Sequence, residues 1–415
     1  MMEIDEYLEL SRLIHKTSSA TEPVWFVDRL FASTEVYLNE KVGFRQISSS
    51  TASHQAIKAA SGWFIVWDNV LARTCSDLLY GFGSRHLAHQ LASATDASNA
   101  NQFASSVCRR AFAAYFANRL VGHPYVSAAF AMLACEETKG ADLLNEPALK
   151  FVSRINELQK MMMFFHEFSH VFFDCKPEFH ARCVDTMEVL LDRVGEMQKR
   201  DEIYNKAAPV ALRSSRELDP SSPVNQKRGY INELACDYQA FYLTCLEDSN
   251  GDGRLIDWKD ALGMCVLASQ MLGNLEANLN MGVLALLDVC RCTEGFSRIE
   301  GLDISGIQAR MKAEQPRLLV RQWNTILSLQ RVLNDVGKSM GLDAHKHQDQ
   351  ILEAFSAANV TWNEAIAVDF GAFFTPEYLA KIVSRVSLLK NNRRMSKEQA
   401  LEYSAKLLGW GAIPV

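Results

Sequence analysis

Long apolar runs are missing from this chain of 415 residues. No stretch approaches the roughly 18 consecutive apolar residues needed to cross a bilayer. The most apolar segments, Tyr125–Cys135 and Met161–Phe165, are too short to span one. The opening residues, Met1-Met2-Glu3-Ile4-Asp5-Glu6, have neither the basic region nor the apolar core of a secretory leader. Cysteine pairs at metal or redox spacing are missing too. None of the ten cysteines makes a Cys-x-x-Cys pair, which argues against zinc ribbons and thioredoxin-like redox sites. These absences predict a cytoplasmic protein with no membrane contact, whose thiols stay reduced and mostly behave as small hydrophobes.

Glutamate is absent from Lys41 to Cys135. Eight Lys/Arg there oppose Asp68, Asp77 and Asp96, a net of +5 in a chain of net −6, so the remainder carries −11. The overall acidity argues against dedicated nucleic-acid binding. The positive segment, with Arg109, Arg110 and Arg119, has two readings: a docking surface for an acidic partner, and by default a solvated helix face.

What is present is an ordinary globular composition, 48% apolar and 22% charged, with enough chain for a sizeable core. The fold expected is mainly α. Helical patterns run over Leu8–His15, Asp68–Tyr80, Phe103–Leu120, Tyr125–Cys135, Pro147–Phe173, Pro177–Arg200 and Ile231–Leu246. Further helices are expected over Asp257–Arg291, Arg317–Val336, Gln348–Ala358, Pro376–Leu389 and Lys397–Leu408. Gly62–Trp67, short, aromatic and β-branched, is the strand candidate. Ser93–Asn101 reads as a loop or weak helix start, and Asp201–Arg228, with three prolines, as a connection. Cys292–Pro316 is the expected boundary between a catalytic unit over residues 1–300 and a helical remainder, 301–415, without assignable chemistry.

The sharpest signal is His166-Glu167-Phe168-Ser169-His170. Spacing of i, i+4 stacks both imidazoles on one helical face, where their ring nitrogens can reach one Zn²⁺. Glu167, next to a ligand, is then placed as the general base for a water at the open coordination position. Two satisfied core histidines are the plain alternative. A zinc site also needs a third protein ligand. The position six residues after His170, where a metzincin has its third histidine, is Lys176. Glu233-Leu-Ala-Cys-Asp237 supplies acids at i, i+4 on a second helix. Glu233 is the expected ligand and Asp237 the expected acceptor for the far N–H of a ligand imidazole. Two acids on a solvated stripe is the alternative there. Tyr230, Tyr238, Tyr242 and His180 are candidate oxyanion donors by proximity in sequence.

His166-Glu-x-x-His170 followed some sixty residues later by Glu233-x-x-x-Asp237 resembles the gluzincin metallopeptidases, and within them the Lit-type phage-exclusion peptidases. The resemblance implies an α+β zincin-like fold, one Zn²⁺ per chain, peptide hydrolysis and an intracellular protein substrate cleaved on an infection signal. It also implies a strand edge offered to the substrate backbone, for which Gly62–Trp67 is the candidate. An occluded cleft or an activating protein partner is expected, because an unregulated cytosolic protease would be harmful. Two other classes stay open: a helical binding or scaffold protein with a degenerate or structural metal site, and a peptidase-type regulator of a repressor, similar to the ImmA/IrrE-like group.

Asp248-x-Asn250-x-Asp252-Gly253 matches the first half of a calcium loop, though Lys259 stands at the twelfth position. Ca²⁺ binding and a simple Gly-rich turn are its two readings. His86-x-x-His89 and His345-x-His347 lack acid or cysteine partners at ligand spacing and read as surface or capping histidines. Met161-Met162-Met163 reads as core.

Overall fold

The computed structural model describes residues 2–15, 18–19, 42–49, 54–88, 94–137, 146–200, 224–250 and 371–409, with isolated positions elsewhere. It is mainly helical with one small sheet, as the sequence predicts. The strands are β1 (Ser18–Ser19), β2 (Val42–Ser48), β3 (Gln55–Ala59) and β4 (Gly62–Asp68). The helices run α1 (Ile4–His15), α2 (Asn69–Ala88), α3 (Ala94–Arg119), α4 (Pro124–Glu136), α5 (Glu146–Cys175), α6 (Pro177–Arg200), α7 (Val224–Asn250), α8 (Pro376–Ser387) and α9 (Lys397–Leu408). Among the described residues no helix is long and apolar enough to cross a membrane.

The chain forms two compact units. One joins Met1–Asn156, Gly282–Ile304 and Thr361–Val415; the other joins Glu157–Met281 and Ser305–Val360. The units interleave along the chain, so they do not follow the linear division expected near residue 300. The boundary segment Cys292–Pro316 and the helices expected over Asp257–Arg291, Arg317–Val336 and Gln348–Ala358 lie largely or wholly outside the described residues.

In the first unit the sheet order is β1-β2-β4-β3, with β2 parallel to β4 and the other pairs antiparallel. Ile65, Val66 and Trp67 of β4 are fully buried. β3 and β4 join across Ala60 and Ser61, and Gly62 follows at φ +128°, a region closed to most L side chains. Helix α1 covers one face of the sheet. Ile4, Tyr7 and Leu8, one helical stripe, pack on Ile47, Ala59 and Val66.

The strand read at Gly62–Trp67 is therefore present, but its expected role is corrected. β4 is bonded to β2 on one side and to β3 on the other, so both its edges are taken and no substrate strand can add to it. Segments β2 and β3 were not expected as strands. Gly43, Arg45, Gln46 and Lys58 dilute their apolar pattern, and pairing with β4 supplies what local propensity does not.

Asp68 ends β4 and caps α2. Its carboxylate accepts from the Val70 amide at 2.9 Å, the Ser49 amide at 3.3 Å and the Ser49 hydroxyl. The Asp68 amide donates to His54 Nδ1 at 2.9 Å, and the His54 ring stacks on Trp67 at 4.0 Å.

Helix α3 starts at Ala94, so the Ser93–Asn101 segment, read as a loop or weak helix start, is helical almost throughout. Four of the seven residues over 94–100 are Ala or Ser, and α3 packs on both α2 and α4. The arginines proposed as a basic patch are each engaged locally. Arg109 pairs with Glu137 at 3.1 Å, Arg110 pairs with Asp77, and Arg119 Nε donates to the Tyr115 hydroxyl at 2.9 Å.

The C-terminal helices belong to this same unit. Ala128 and Met132 of α4 cluster with Leu389 and Ala400, and the Tyr125 hydroxyl donates to the Met395 carbonyl at 2.8 Å. Helices α8 and α9 both carry side-chain caps. Thr375 accepts from the Tyr378 amide, and Ser396 with Gln399 forms a reciprocal capping box.

Candidate metal centre

The second unit holds α6, α7 and the part of α5 from Glu157 onward, which carries the histidine motif. Leu158, Met161, Phe164, Phe165, Phe168 and Val171 bury the apolar face of α5. Full burial of Phe164 and Phe168 is worth about 2–3 kcal/mol each. Met161, Met162 and Met163 are buried too, as a core reading predicts. The chain turns at Lys176 and re-enters a helix at Pro177, whose missing N–H costs nothing at a first turn. Aromatic rings close that corner: Phe172 meets Phe179 edge-on at 5.2 Å, and His180 stacks on Phe173 at 4.7 Å.

An apolar cluster brings in α7. Phe173 of α5, Cys183 and Met187 of α6, and Ile231, Leu234, Ala235 and Cys236 of α7 are all buried together. Burial pushes the Cys183 thiol up to about 11, so it stays protonated in this cluster. The cluster fixes the rotation of α7 and thereby aims Glu233 at α5.

His166 and His170 stand one turn apart, ring centroids 5.1 Å apart. His166 Nε2 lies 3.3 Å from Glu233 Oε2, and His170 Nε2 lies 3.7 Å from Glu233 Oε1. The ligand atoms of all three residues fall within 4.8 Å of one another. Zinc–ligand bonds of about 2.0–2.1 Å at tetrahedral angles put neighbouring donor atoms about 3.3–3.5 Å apart. The group therefore has the size of a metal coordination sphere. Two imidazoles and one carboxylate form a donor set that several divalent metals accept, zinc and iron among them.

The other ring nitrogens are also occupied. His166 Nδ1 is 2.8 Å from Asp237 Oδ1. His170 Nδ1 is 3.4 Å from Cys236 Sγ. If Asp237 accepts the Nδ1 proton, His166 presents a bare Nε2 to a metal. Glu167 is buried on α5 beside His166. The His166 side chain is 11% exposed, while His170 and Glu233 keep 30% and 28%, which leaves one side of the group open.

Family models, curated proteins and solved structures give no match to this chain. What the site can do is therefore argued from its own geometry.

The candidate oxyanion donors separate. His180 Nε2 is 2.9 Å from Asn232 Oδ1, tying α6 to the residue before Glu233. Tyr238 packs against the apolar cluster. At about 100° per residue, Tyr242 falls on the far side of α7 from Glu233, and the side chain of Tyr230 lies outside the described positions. Asp248 and Asn250 are helical, in the last turn of α7. Asp252 and the rest of the calcium-loop pattern lie outside the described residues, as do His89 and the His345-x-His347 pair. Sequence reasoning missed Cys236 and Asn232. Both adjoin acids already singled out, and Cys236 sits three residues after Glu233, a spacing that shares its helical face.

Proposed function

We propose that the protein is a zinc-dependent endopeptidase acting on an intracellular protein. One observation carries the reading: both histidine Nε2 atoms converge on the two oxygens of Glu233 while both Nδ1 atoms are held from behind. A bound Zn²⁺ would supply Lewis acidity and an acidified water at this point. Glu167 takes the proton of the attacking water and passes it to the departing amine. Asp237 holds the His166 ring in its ligating orientation.

A closed structural zinc site takes four protein ligands. The group found among the described residues has three, with one side open, which favours a catalytic centre over a structural one. The zinc-loaded full chain should cleave members of a proteome-derived peptide library, read by mass spectrometry. Glu167→Gln should keep its zinc and lose about 10²- to 10⁴-fold in cleavage rate. Retained cleavage removes Glu167 from its role. A wild-type chain that holds zinc and cleaves nothing in the library overturns the peptidase reading and leaves a structural metal centre.

A further inference from the structure

Helix α7 carries more than a ligand. At about 100° per residue, Cys236 and Asp237 fall on either side of Glu233, roughly 60° one way and 40° the other. The two imidazoles of α5 straddle Glu233 in the same manner, and each has its Nδ1 against one of these flanking residues. The Asp237 contact has the form of a metal ligand's carboxylate partner. The other partner is a thiol, fully buried, with its sulfur 3.4 Å from His170 Nδ1.

We propose that Cys236 is a positioning residue of the metal centre, its sulfur accepting the Nδ1 proton of His170 so that Nε2 presents its lone pair. A neutral imidazole carries one proton, and the nitrogen that keeps it cannot ligate. A sulfur acceptor on Nδ1 selects the tautomer in which Nε2 is bare. Sulfur accepts weakly, so His170 is held less firmly than His166, which faces a carboxylate. The segment Glu233-Leu234-Ala235-Cys236-Asp237 thus supplies a ligand and both orienting acceptors from a single helical turn. The inference rests on the reading of His166, His170 and Glu233 as ligands.

The opposing account makes Cys236 a small hydrophobe of the cluster it shares with Leu234, Ala235 and Ile231. The two accounts order two variants oppositely. Cys236→Val keeps an apolar side chain and removes the acceptor; Cys236→Ser keeps an acceptor and buries a hydroxyl. Zinc affinity of the full chain, measured by chelator competition, should fall about tenfold in Cys236→Val and less than threefold in Cys236→Ser. The metal-free unfolding midpoint, recorded alongside, should follow the opposite order. Equal zinc affinity in wild type and Cys236→Val, or a larger loss in Cys236→Ser, overturns the role of Cys236 while leaving the metal centre in place. Should Cys236→Val not fold, Cys236→Ala removes the same acceptor with less bulk and must show the same loss. A wild-type chain that binds no zinc, or whose zinc survives in His170→Ala, overturns the metal centre itself.

Discussion

Among the described residues, histidine and carboxylate come together around Asp68 and around Glu233, and the two groups differ in what they bond. Around Asp68, side chains bond mainly to backbone amides, with the Ser49 hydroxyl on the carboxylate as well. The carboxylate takes the amides of Ser49 and Val70, and the Asp68 amide takes His54 Nδ1. Asp68 is fully buried and His54 lies flat on Trp67. Around Glu233, side chains address side chains, from two helices, and the group keeps an open side. On the proposed reading, the same residue types act as a joint in one place and as a ligand set in the other. Partner identity and access separate the two roles; burial of a histidine alone does not.

Substitutions should divide along that line. Asp68→Ala should cost about 3 kcal/mol of stability, the sum of a lost helix cap and charged hydrogen bonds to buried groups. Chemical denaturation measures it, and zinc affinity should not change. A stability loss under 1 kcal/mol, or a change in zinc binding, would break the contrast. Asp237→Asn should do the reverse, lowering zinc affinity about 10- to 100-fold while shifting the metal-free unfolding transition far less than Asp68→Ala does. If Asp237→Asn unfolds the protein and leaves zinc affinity intact, Asp237 is another joint.

A smaller effect is expected from Cys183, in the apolar cluster that aims Glu233. Its folded pKa, about 11, lies above the ordinary 9.0 because burial disfavours the thiolate. The folded chain then binds more protons than the unfolded chain between those values. The stability contributed by this group is full below pH 9.0 and is lost as pH rises through about 11. Cys183→Ala should flatten that alkaline decline in a pH series of unfolding curves. An unchanged decline would assign it to other groups.

The sequence made the joint and the ligand set unequally visible. His166, His170, Glu233 and Asp237 were readable because helical spacing is a local rule and both helices are long. Pro177–Arg200 and Lys397–Leu408 were readable to their ends because proline and a Ser-x-x-Gln cap mark starts. Asp68 was not readable as a joint, because its partners Ser49 and His54 come from outside its own element. The interior place of β4 was hidden for the same reason: strand order depends on partners that its own residues do not specify. Cys236 was hidden differently. A cysteine among Leu234, Ala235 and Ile231 looks like core, and only the approach of His170 distinguishes it.

Metal content is the most direct test of the central claim. The purified full chain, loaded with zinc and dialysed, should hold one zinc per chain by elemental analysis, and His166→Ala and Glu233→Ala should each hold close to none while keeping the wild-type circular dichroism. Zinc that is absent from the wild type, or equal in all three, would contradict the account.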